Sequence, residues 1–82
     1  MKNTNAKIIQ KLLTSLENIE LTELKLTEFK SATLITFAEL EGRDSVIFEE
    51  INKIRIVVGC KLTDVVSQFK NILLTSLDLT NI

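Results

Sequence analysis

Apolar residues recur at helical spacing near the start of the chain. Ile9, Leu12, Leu13, Leu16 and Ile19 share one face, while Lys7, Lys11, Ser15 and Glu17 turn elsewhere. That period predicts a helix over about residues 5–18, with Thr4 or Asn5 able to cap its start. A second stripe, Val66, Phe69, Leu73 and Leu77, predicts a helix over about residues 64–77. Thr63 is a suitable N-cap there, and Asp64 suits the positive end of the helix dipole. Such stripes face a core first. Because the chain is short and rich in apolar residues, Ile9, Leu12, Leu16, Phe69, Leu73 and Leu77 are also the candidate self-association residues.

The middle of the chain supports two readings. "ELKLTEF" and "TLITFAEL" are rich in Thr, Leu, Ile and Phe and alternate tolerably, so Leu24 and Leu26 would share a face, as would Ile35 and Phe37. An antiparallel β-hairpin over about residues 23–41 is the expected structure, although "KSA" between the strands lacks the usual tight-turn residues. The rival reading is a helix ending at Gly42, with Leu26, Phe29, Thr33, Phe37 and Leu40 on one face. "EGRDS" punctuates the chain, since Gly42 offers a positive φ and Asp44 or Ser45 a cap. Beyond it, a helix over about residues 45–58 would align Ile47, Ile51, Ile54 and Val58, pair Glu49 with Lys53, and stop at Gly59. As strands, the same residues would extend the hairpin. The expected fold is therefore α+β: an N-terminal helix, a hairpin with a possible third strand, and one or two helices. An all-α four-helix bundle is the alternative.

Length changes how these elements must be held. With 82 residues the chain makes one small domain, with residues 1–4 and 79–82 expected to be loosely ordered. Apolar residues form 45% of it, which predicts a packed core. Cys60 is the only cysteine and histidine is absent, so neither a disulfide nor a Cys/His zinc site can brace the fold. A chain this small with so much Ile, Leu and Val is expected to cover part of it against another protein, a homodimer being favoured.

Charge narrows the partner. The net charge of −1 gives no overall attraction to nucleic acid or acidic lipid. Its distribution is blocked: Lys2, Lys7 and Lys11 open the chain, and Glu39, Glu41, Asp44, Glu49 and Glu50 face only Arg43 in the middle. Lys53, Arg55, Lys61 and Lys70 then follow against Asp64. Such blocks can orient self-association or a charged partner, or be solvated faces. The N-terminus does not read as a signal peptide, and no apolar run is long enough to span a bilayer. Together with a free thiol this predicts a cytoplasmic protein. A bias toward Ile, Lys, Asn and Leu suggests a bacterial or phage genome of low G+C content. Weak peripheral membrane contact through the first helix is a further expectation.

The remaining chemistry is sparse. Without histidine there is no Ser-His or Cys-His pair, and no Walker A or GxGxxG pattern occurs. The Glu39/Glu41 and Glu49/Glu50 pairs match no calcium loop. The four phenylalanines sit within apolar patterns and read as core anchors rather than platforms for bases. Cys60 beside Lys61 reads as an inert buried thiol rather than a reactive one. No enzyme, cofactor or metal is expected. "IRIVVGCKLTDVV" can be aligned with a helix-turn-helix through Gly59, with Lys61, Ser67, Lys70 and Asn71 as the polar readers, but Arg55 and Gln68 occupy sites that want small or apolar residues. The function expected from the sequence is a small protein-binding regulator, inhibitor or adaptor. A weak nucleic-acid-binding regulator is the alternative.

Overall fold

The computed structural model describes residues 2–80. They form four helices: α1 (Lys2–Glu17), α2 (Glu23–Leu40), α3 (Val46–Asn52) and α4 (Leu62–Thr80). Among the described residues there is no strand, so the fold is all-helical and the expected α+β arrangement is overturned. The segment expected to be a hairpin, about residues 23–41, is one continuous helix.

Local chemistry explains that helix. Thr22 has an extended backbone and its hydroxyl accepts from the Lys25 N–H, while Glu23 lies in the positive first turn. At the other end Gly42, at φ +90, donates its N–H to the Ala38 carbonyl, the left-handed stop that glycine favours. Between the caps the buried residues are Leu26, Phe29, Thr33 and Phe37, which follow the helical period. The residues that suggested alternation separate completely. Leu26 and Phe37 are fully buried, whereas Leu24 and Ile35 are 68% and 63% exposed.

α3 starts where the cap signal placed it, with the Ser45 hydroxyl accepting from the Phe48 N–H. It is much shorter than the expected 45–58. The β-branched run Ile54–Val58, interrupted only by Arg55, resists helix. The Ile54 N–H closes onto Ile51, and the chain leaves the helix after Lys53. Lys30 of α2 then fixes the exit: its ammonium donates to the carbonyls of Asn52 (3.0 Å) and Ile54 (2.6 Å). A cation there satisfies carbonyls that a helix end leaves free and complements the negative end of its dipole. Gly59 does not stop α3. It takes φ +87 in a separate turn closed by the Cys60 N–H on the Val57 carbonyl, which leaves Val58 89% exposed. Lys53 lies 3.8 Å from Glu50 rather than pairing with Glu49.

The outer helices are longer than their stripes implied. α1 begins at Lys2, so neither Thr4 nor Asn5 stands outside it as a cap. α4 begins at Leu62, with the Lys61 carbonyl accepting from Asp64 and Val65, so Thr63 lies inside the first turn. Residues 2–4 and 79–80, expected to be loose, belong to helices, while positions 1, 81 and 82 lie outside the described residues.

α4 is the hub. It packs along α1 and also meets α3 and α2, while α3 lies chiefly against α2. Ile9 and Leu16 of α1, Val65, Phe69 and Leu73 of α4, and the buried face of α2 meet in one core. Phe29 meets Phe69 edge-on at 5.1 Å and 81°, joining α2 to α4. The Cα envelope measures 39 × 25 × 16 Å, a slab thin in one direction.

Candidate interaction surface

The thin shape leaves apolar side chains outside the core. The surface area is 5513 Å², against the roughly 5,000 Å² of a compact 9.3 kDa monomer. Two of these exposed residues, Val46 (71%) and Leu79 (59%), share a concavity.

That concavity is a groove of about 560 Å³ between the start of α3 and the second half of α4. Ser45 sets the direction in which α3 departs. Burial of Ile47 and Ile51 then anchors its inner face, so Val46 projects outward at the rim. From α4, Ile72, Thr75 and Leu79 fall on successive turns of one face and line the opposite wall. Glu41 at the C-cap of α2 and Glu50 of α3, the latter 3.8 Å from Lys53, supply the charge, and among the described residues no Lys or Arg lines the groove itself. The surface is thus an apolar floor with carboxylates at its rim. It can bury an apolar helix face and attract cations beside it.

The residues singled out by sequence lie elsewhere. Of the candidate self-association residues, Ile9, Leu16, Phe69 and Leu73 are buried in the chain's own core, and Leu12 and Leu77 pack against it. Their stripes face each other across α1 and α4, so within one chain each covers the other. Phe29, Phe37 and Phe69 are buried and Phe48 packs against the same core.

Lys61, Ser67, Lys70 and Asn71 are exposed, but they do not belong to a helix-turn-helix. Residues 53–61 separate α3 from α4, where that motif needs a turn of about three or four residues. Asn71 reaches the apolar groove, and Lys70 borders a small hollow beside Glu17. Glu39 and Glu41 do not share a face on helical backbone, and among the described residues no cluster of three acidic or thiol groups is placed to hold a metal. Cys60 is half-buried.

Sequence reasoning missed Val46, Leu79 and Lys30. Leu79 fell in the presumed loose tail, and Val46 precedes the buried Ile47 in a segment with two readings. No local signal marks Lys30, because its partners lie 22 and 24 positions away. Among the described residues, no helix is long and apolar enough to cross a membrane. Comparison with protein-family models, with curated proteins and with solved structures finds no match to this chain.

Proposed function

We propose that this is a non-enzymatic protein-binding module, a regulator, inhibitor or adaptor whose working surface is the α3/α4 groove. The observation that carries the reading is the apolar groove with Val46 and Leu79 exposed inside an acidic rim. An amphipathic helix with Lys or Arg beside its apolar face is the complementary ligand, since its anchors would fill the groove and its cations would meet Glu41 and Glu50. The unpaired Cys60 supports a reducing compartment such as the cytoplasm.

Self-association as a homodimer belongs to the same proposal, but not through this groove. A two-fold interface sets a surface against itself, and the acidic rim would then face a second acidic rim.

Fluorescence anisotropy tests the groove with two designed helical peptides of about 18 residues, long enough for five turns. One is built of Leu and Lys, the other of Leu and Glu. The basic peptide should bind, and Val46→Glu or Leu79→Glu should weaken it while circular dichroism stays unchanged. No binding, or equal binding of the two peptides, would overturn the reading.

A further inference from the structure

The face of α2 that points away from the core is used by neither the core nor the groove. Leu24 and Ile35 lie on it about three turns apart and nearly in line, and they are the two exposed large apolar residues of that helix. The rest of the face carries the short side chains of Thr27, Ser31 and Ala38, with Glu28 at one edge drawn toward Lys25 at 3.7 Å.

We propose that α2 of a second copy packs antiparallel on this face, about a two-fold axis passing beside Ser31 and Ala32. The inference rests on the homodimer reading above and names its surface. Charge complementarity selects the occupant. In an antiparallel two-fold pair each flank of one helix meets the same flank of the other. Lys25 and Glu39 occupy one flank of α2, at opposite ends. Each Lys25 therefore meets Glu39 of the second copy, and symmetry repeats the contact. On the other flank Arg43 lies in a hollow with Ile35, Ala38 and Phe48, and it approaches Glu23 of the second copy. A parallel pairing would set opposite flanks together and place Lys25 and Glu39 at opposite ends, out of each other's reach.

Side-chain size agrees with the same axis. Leu24 lies over Ala38 of the second copy and Ile35 over its Thr27, so large meets small on both sides of Ser31. Short residues at the crossing let the helix axes approach to the usual distance of about 8–10 Å. An 18-residue helix is about 27 Å long, and one such pair covers less than the roughly 1,600 Å² of a standard interface. The dimer therefore forms and dissociates with concentration rather than being permanent.

Sedimentation equilibrium across a concentration series should show a monomer–dimer mixture. Leu24→Glu and Ile35→Glu, both at exposed positions, should leave the helical circular dichroism intact and weaken association about tenfold or more. Lys25→Glu should weaken it less, and Lys25→Glu combined with Glu39→Lys should restore it, which no local effect on the monomer would do. In a Cys60→Ser background, Ser31→Cys should cross-link across the axis under mild oxidation, while Lys11→Cys on α1 should not. A monomer at every concentration overturns both this surface and the homodimer reading. A dimer indifferent to Ile35→Glu, or no Ser31→Cys cross-link, overturns this surface alone.

Discussion

The α1/α4 half and the α2/α3 half of the molecule hold themselves together differently. α1 and α4 are regular amphipathic helices whose stripes, Ile9 and Leu16 on one and Val65, Phe69 and Leu73 on the other, bury each other along their length. The side-chain hydrogen bonds of Thr14 and Thr75 stay within their own helices there. In the α2/α3 half, α2 is apolar on both sides and α3 has only seven residues, too short to be stable on its own. That half relies on specific polar contacts: Thr22 and Ser45 as caps, Gly42 as a left-handed stop, and Lys30 clamping the exit of α3. Continuous packing makes one half robust and readable. The other depends on single atoms.

The largest effect should come from the residue that joins the halves. Phe69→Ala removes a fully buried ring and its edge contact with Phe29, and should cost about 3–5 kcal/mol in urea unfolding, with all four helices lost together. Separate loss of one half would break the idea of a shared core. Lys30→Met keeps the aliphatic stem but leaves the Asn52 and Ile54 carbonyls without their cation, for a cost of about 1.5–3 kcal/mol. Hydrogen exchange should accelerate in α3 while α1 and α4 stay protected. Uniform acceleration would deny α3 its separate dependence on the clamp.

Thr33→Val should have the opposite sign. The Thr33 hydroxyl is buried with no hydrogen-bond partner among the described residues, so replacing it with a methyl should stabilise the fold by about 1–2 kcal/mol, read as a rise in the unfolding midpoint. A loss would mean that the hydroxyl is satisfied. Ser45→Ala should cost about 1 kcal/mol by removing the α3 cap, and Ser45→Asp should retain most of the stability. Equal loss in both variants would show that the hydroxyl contact is not what holds α3.

The same division explains what could be read from sequence. The stripes of α1 and α4 were legible because their buried apolar residues recur on one face, and only their ends were misjudged. α2 misled because Leu24 and Ile35 sit on the solvent face at positions that create i,i+2 pairs with Leu26 and Phe37. Its threonines added to the strand-like composition. Yet Thr36 turns its hydroxyl onto the Ala32 carbonyl at 2.8 Å, and Thr33 is buried within the helix. The stop of α3 was out of reach, since it combines a β-branched run with a lysine from another helix. The groove was equally hidden, because Val46 and Leu79 become neighbours only when α3 folds against α4. The exposed residues that confused the helix period are the same ones that an α2–α2 contact would use.

As a single helix with one buried stripe, α2 points Leu24 and Leu26 in opposite directions despite their spacing. Urea unfolding of Leu24→Ala and Leu26→Ala, at concentrations where the chain is monomeric, separates the two sides of the helix. Leu26→Ala should cost about 2–5 kcal/mol, while Leu24→Ala should stay within about 0.5 kcal/mol of the parent. Similar losses in the two variants would place both side chains on one buried face and contradict the helix.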